Sequence, residues 1–302
     1  MSEADRGRGV LLFVDVPQDK AARYSDQINE VLAQASLPAG LAAKMAGRWD
    51  HASAVALGRS GRAFAWPLRD RAKSPRLNTL TDLLKAALRG FQVFLTAHAP
   101  MPVYTDLVAR RTFLVFVDTA RRDLDWHSYR LGGVIWSPAV ARCFTLDVAV
   151  TATGFLPEDS SNAINEAEAL AALVAIQNLH GGIAEAEVMM FIDNQAAEGV
   201  LIKAYSRSAH LTAIAAAFWT AVRRSGSACW IGRVPSELNV ADGFSRADFA
   251  AQSRLGLTWA EVSIPQPDNI TWLPTAAPPK KRQAAADAAA RKDKRRQRHQ
   301  GR

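Results

Sequence analysis

The stretch that most constrains this chain is Thr112–Ala120, TFLVFVDTA. The apolar run Phe113 to Val117 is unbroken and meets a carboxylate, Asp118. A run of that length, rich in β-branched and aromatic residues, predicts a strand buried on both faces. An acid closing such a strand must lie exposed at an edge, be paired, or hold a metal. Glu187–Asp193, EVMMFID, is a second apolar run that finishes on a carboxylate.

Between the two runs the periodicity changes. Tyr129–Trp136 and Ala141–Ala149 read as strands joined by a turn at Ser137-Pro138, and Asn162–His180 reads as a helix ended by Gly181-Gly182. Helical stretches follow at 195–204 and 209–224, then a strand at Cys229–Val234, a loop at Pro235–Asn239 and a last helix at Val240–Gln252. Three strands, a helix, a strand, helices, a strand and a helix make a mixed α/β domain over 110–255.

Upstream, residues 10–16 (VLLFVDV) read as a short strand, and helices are predicted at 21–35, 39–64 and 77–96. Gly58 and Gly61 suggest a break inside the second of these. Residues 1–98 therefore form a small, mainly helical region. Residues 99–109, opening with Ala99-Pro100-Met101-Pro102, read as a linker.

Charge is informative here through its position. Lys280 to Arg302 holds ten Lys/Arg and two Asp, which accounts for the whole net charge of +8. That tail, 265–302, reads as a basic disordered segment and a nucleic-acid arm or bipartite nuclear signal. Within the neutral remainder, Leu41–Gly90 carries ten basic residues against three acidic ones. Lys44, Arg48, Arg59 and Arg62 on those helices suit a phosphate backbone. Cys143 and Cys229 form no CxxC pair, which argues against zinc and a disulfide framework. No apolar run is long enough to span a membrane, and the amino terminus lacks a signal-peptide core. The expected compartment is intracellular: nuclear in a eukaryotic host, otherwise cytoplasmic.

Four acids stand out as ligands. Asp118 and Asp193 close strands. On the intervening helix Glu168 shares a side with small residues, Ala171, Ala172 and Ala175, that let a helix approach a sheet, whereas Glu166 points away to a solvated face. Asp242 opens the last helix, where an acid is also favoured by the helix dipole. Asp15 reads as structural, and Asp123, Asp125, Asp147 and Asp159 as solvated turn or strand-edge residues. The histidines read as surface or core residues.

Together Asp118, Asn165–Leu173 (NEAEALAAL), Phe191-Ile192-Asp193-Asn194 and Val234–Arg246 (VPSELNVADGFSR) resemble type 1 ribonuclease H, with the last stretch most similar to its retroelement branch. Ala43–Trp49 (AKMAGRW) and Gly58–Ala63 (GRSGRA) resemble the thumb and connection region of reverse transcriptases of DIRS-like elements. No polymerase palm is present, and Tyr104-Thr105-Asp106 lacks the second Asp of a polymerase turn. The resemblance implies a ribonuclease H-like mixed five-stranded sheet flanked by helices, behind a helical region. It implies an endonuclease cutting the RNA strand of RNA–DNA hybrids, with Asp118, Glu168, Asp193 and Asp242 holding two Mg²⁺ ions, Mn²⁺ being a substitute. Asn194 and Arg233 join the basic helices as nucleic-acid contacts. No small-molecule cofactor and no membrane are expected. The loop Gly232–Ala241 has no histidine, where many ribonucleases H carry one, and Arg233 is its basic residue. A catalytically inactive nucleic-acid-binding remnant and a DEDD-type exonuclease on the same fold are the alternatives.

Overall fold

The computed structural model describes residues 10–53, 59, 61–97, 101–104, 111–122, 125–157, 163–178 and 186–264. The basic tail, the linker residues 99, 100 and 105–109, Gly58, Gly181-Gly182, Asp123 and Asp159 lie outside them. Among the described residues no helix is long and apolar enough to cross a membrane.

The amino-terminal part holds β1 (Val10–Val14), α1 (Gln18–Gln34), α2 (Ala39–Ala52), α3 (Arg62–Ala72), α4 (Asp82–Ala97) and β2 (Met101–Tyr104). The helix expected over 39–64 is therefore two helices, divided near the paired glycines. Helix α3 runs beyond the expected end at residue 64 and continues through Pro67, a residue type that ordinarily breaks a helix interior. Met101–Tyr104 also departs from the linker expectation: β2 pairs antiparallel with β1. Trp49 centres the core of this part. It meets Phe64 and Phe91 edge-on, at 5.5 and 3.7 Å between ring centroids, and its indole N–H donates to Gly61 O.

The second part holds β3 (Thr112–Arg122), β4 (Asp125–Ser137), β5 (Val140–Ala149), α5 (Ile164–Asn178), β6 (Glu187–Ile192), α6 (Gln195–Lys203), α7 (Ala209–Arg224), β7 (Ala228–Arg233), α8 (Asp242–Ser245), α9 (Ala250–Arg254) and β8 (Thr258–Trp259). The sheet order is β7-β6-β3-β4-β5-β8, with β3, β4 and β5 antiparallel and β6 and β7 parallel to β3. This is the expected mixed sheet flanked by helices. A sixth strand, β8, is added parallel to β5.

Strand β3 explains the arrangement. Phe113, Val115 and Val117 are fully buried on the face that joins the core with α5 and α7. Leu114 and Phe116 on the other face are half-buried, so burial is one-sided rather than two-sided as the unbroken run suggests. There Phe116 stacks on Phe191 at 4.8 Å. Helix α5 is buried from Ala167 to Ile176, and its alanines permit the close approach that its polar ends alone could not.

The last helix expected over 240–252 is two short ones. Ala247 lies at φ 62°, a left-handed conformation that costs a non-glycine residue roughly 1 kcal/mol and stops α8. The chain then folds back onto Gly243, whose absent Cβ would stand 2.7 Å from Asp248 O. The two parts of the molecule meet at α7. Arg59 lies over the Trp219 ring at 5.1 Å, and Arg223 over Phe94 at 5.7 Å.

Candidate metal centre

The site arises because β3 outlasts β6. Their parallel register runs to Val117 beside Ile192, where β6 ends. Strand β3 continues to Arg122 paired only with β4, so Asp118 does not terminate a strand as its sequence suggests; it marks where the sheet narrows. Asp193, the residue after Ile192, stands at the same level.

Helix α5 brings the third acid. Thr119 Oγ1 donates to Ala167 O at 3.2 Å, fastening the first turn of the helix to β3 beside the notch. Glu168 follows, and a backbone hydrogen bond from Thr119 favours its charged form. One carboxylate oxygen each from Asp118, Glu168 and Asp193 lie within 4.8 Å of one another. Asp118 and Glu168 are buried, at 5% and 4% exposure, and Asp193 is half-buried.

Burial and mutual repulsion raise the proton affinity of both buried acids. Burial pushes the Asp118 carboxyl up to about 6, with Asp193 and Asp242 adding repulsion, while the Ser245 hydrogen bond and the Arg246 charge oppose it. Burial also lifts Glu168 well above the ordinary carboxylate range, reinforced by Asp118 and Asp193. Glu168 Oε2 is buried and has no hydrogen-bond partner among the described residues.

The fourth acid arrives on α8. Asn239 directs the preceding loop: its Nδ2 donates to Val117 O at 3.0 Å, and its Oδ1 accepts from Ala241 N at 3.2 Å. Gly132, opposite Asp118 on β4, leaves room for the helix; a Cβ there would come within 2.5 Å of Ser245 N and 2.8 Å of Phe244 C. Thr145 Oγ1 donates to Phe244 O from the next strand, and Ser245 Oγ donates to Asp118. Asp242 thus lies near enough to repel Asp118 and Glu168. It stands outside the three-acid cluster, and its Oδ1 accepts from Arg246 Nε at 2.6 Å.

The remaining expected residues fall into separate places. Asn194 caps α6, its Oδ1 accepting from Ala196 N and Ala197 N, while its Nδ2 donates to Asn165 at 3.0 Å. Lys44, Arg62 and Arg233 are exposed. Arg48 donates to Gln27 and lies over the Tyr24 ring at 5.6 Å, and Arg59 is held over Trp219. Glu166 departs from the solvated-face expectation. It is half-buried and accepts from Ser208 Oγ at 2.9 Å, tying α5 to the residue that caps α7. Asp147 is exposed as expected, and Asp15 Oδ1 accepts from Val16 N. His51 and His127 are exposed, and His210 has Nδ1 3.1 Å from Phe155 O. The positioning groups Thr119, Gly132, Asn239 and Ser245 received no role from sequence. Only Gly132, a glycine inside a strand pattern, carried an independent signal of close backbone approach.

No family model matches this chain, and no curated protein matches it. Solved structures do. Ribonuclease H1 from the halophilic archaeon Halobacterium salinarum NRC-1 is 18% identical, over 46% of this chain and 97% of that one, with a TM-score of 0.34. The amino-terminal ribonuclease H domain of a Mycobacterium tuberculosis protein, solved as a fusion with maltose binding protein, is 14% identical over 48% and 99%, also with a TM-score of 0.34.

Proposed function

We propose that residues 110–255 form a divalent-metal-dependent endonuclease that hydrolyses the RNA strand of RNA–DNA hybrids, in a protein of retroelement origin. The observation that carries this reading is Glu168 Oε2, a buried oxygen without a hydrogen-bond partner among the described residues, beside two further carboxylates. Like charges so placed favour protonation unless a cation neutralises them. A hard divalent ion, Mg²⁺ or Mn²⁺, takes oxygen ligands of this kind.

Asp118, Glu168 and Asp193 would hold the first ion, and Asp242 would complete the set for a second. Bound there, the ions would supply an activated water and neutralise charge on the leaving 3′ oxygen of an in-line displacement. The protein's own part is positional. The β3–β6 register sets Asp118 beside Asp193, Thr119 seats Glu168, and Asn239 and Ser245 seat α8. Lys44, Arg62 and Arg233, all exposed, are assigned to phosphate contacts that position the duplex without reading sequence. Asn194 lies next to Asp193 and is assigned to the nucleic acid as well, as are Arg48 and Arg59 if their present contacts yield. Choice of RNA over DNA rests on the 2′-hydroxyl.

The test is cleavage of an end-labelled hybrid with Mg²⁺ by the full chain and by Asp193→Asn. Internal cuts by the first and none by the second are expected. Binding of the hybrid by both proteins without cleavage by either would replace the enzyme with a binding platform. Shortening from 3′ ends alone would indicate an exonuclease.

A further inference from the structure

Three of the four acids converge and the fourth is held aside. Asp242 opens α8, and one helical turn later Arg246 places its Nε 2.6 Å from Asp242 Oδ1. This cation reaches beyond its immediate partner. Its charge also interacts with Asp118 and Asp193, and it opposes the raised proton affinity of Asp118. The Arg246 side chain is 67% exposed, so it can leave Asp242 without breaking a packed contact. Helix α8 ends at Ser245 and Ala247 turns left-handed, which leaves Arg246 on no continuing helix surface.

We propose that Arg246 is an internal counter-cation of the carboxylate site, competing with a second divalent ion for Asp242 and, once displaced, binding a phosphate oxygen of the substrate. The proposal rests on the metal-centre reading above. Asp242 Oδ1 cannot face a guanidinium and a metal ion along the same direction, so the two compete for it. Among the described residues no cation donates a hydrogen bond to the three-acid cluster; Ser245 donates to Asp118 as a neutral group. Metal loading is therefore ordered. The first ion enters the cluster, and the second enters at the expense of the Asp242–Arg246 pair. The guanidinium released is planar, permanently charged and already beside the reacting centre, which suits a phosphate.

The experiment is titration of the full chain with Mn²⁺ alone, by calorimetry, for the parent protein, Arg246→Gln, Arg246→Lys, Asp242→Asn and the double variant Asp242→Asn/Arg246→Gln. The pair is exposed, so Arg246→Gln is expected to tighten the weaker Mn²⁺ site by about threefold. Arg246→Lys, which keeps the charge, should stay near the parent. In the Asp242→Asn background the same Gln substitution should tighten Mn²⁺ binding far less, because only the weaker charge effects on Asp118 and Asp193 remain. In a cleavage-deficient Asp193→Asn background, Arg246→Gln should weaken hybrid binding and lower its salt dependence by about one counterion. Weaker binding in Asp242→Asn without a tightening in Arg246→Gln would overturn the counter-cation and leave the metal centre standing. Equal tightening with and without Asp242 would also overturn it, reducing Arg246 to a distant charge. Absence of Mn²⁺ binding by the parent protein would remove the metal-centre reading itself.

Discussion

Asp118 and Asp147 lie on the same face of one sheet, two rows apart. Asp118 faces Gly132 and Thr145 across the strands; Ala120, Arg130 and Asp147 form the corresponding row beyond. Asp147 accepts from Arg130 Nε and Nη2 at 2.7 and 3.1 Å and meets Arg122 Nη1 at 3.0 Å, and the Arg130 hydrogen bond holds its carboxyl below the usual range. Asp118 accepts a hydroxyl, adjoins Glu168 and Asp193, and is pushed up to about 6. The same side chain on the same scaffold is satisfied in one row and under-neutralised in the other. A folded chain does not gather buried like charges for stability, so the second row is where a ligand's charge belongs.

The comparison breaks most sharply on cleavage. Glu168→Gln is expected to lower hybrid cleavage on the order of a thousandfold, whereas Asp147→Asn should leave it within about twofold, as measured by single-turnover assays. Similar losses in both would mean that the two rows are not functionally distinct. The largest stability effect is pH-dependent. The Asp118 carboxyl is raised from 3.8 to about 6 in the folded state, so it contributes stability at acid pH that is lost as pH rises through about 6. In EDTA, denaturant unfolding should show a loss of a few kcal/mol between about pH 4 and 6, and Mg²⁺ should flatten that slope. Asp147, with its lowered value, should act in the opposite sense, losing its contribution only as pH falls into the acid range.

Packing around the under-neutralised row gives the next effect. Gly132→Ala drives a methyl into the backbone of Phe244 and Ser245, and should cost about 2 kcal/mol while displacing Asp242, read as lower stability together with weaker Mn²⁺ binding. Asn239→Ala removes the bonds to Val117 O and Ala241 N and should cost about 1 kcal/mol by denaturation. Smallest of all, Asp147→Asn should cost at most about 1 kcal/mol and less in high salt, because its ion pairs are exposed.

Much of this was legible in residues that alternate or run apolar. The strands around Phe113–Val117, Tyr129–Trp136 and Val188–Ile192 and the helix around Glu168 follow from side-chain period, which the core enforces locally. So does the choice of Glu168 over Glu166, since two positions on a helix turn a side chain to the far side. What escaped depends on partners distant in sequence. Helix α3 persists through Pro67 because tertiary packing on Trp49 overrides a local breaker. Met101–Tyr104 is a strand only because Val10–Val14 lies beside it. The extension of β3 past Asp118 comes from β4, and no feature of TFLVFVDTA announces it. Glu166 looked wet because Ser208, its partner, lies in a loop beyond the next strand and helix.

The parallel pairing of β3 with β6 also sets the time at which the site's repulsion is felt. Asp118, Glu168 and Asp193 stand on elements separated by a β-hairpin, a crossover helix and a further strand, so none meets another while the chain is closing local contacts. Such long-range pairings must overcome loop-closure entropy before their contacts stabilise the chain. Their strain accordingly weighs on the finished structure rather than on the path to it. A cation held among those acids would lengthen the residence of the chain in its folded form by slowing unfolding, with little effect on how fast that form is reached. The lifetime of the folded molecule would then report the divalent-ion content of its surroundings.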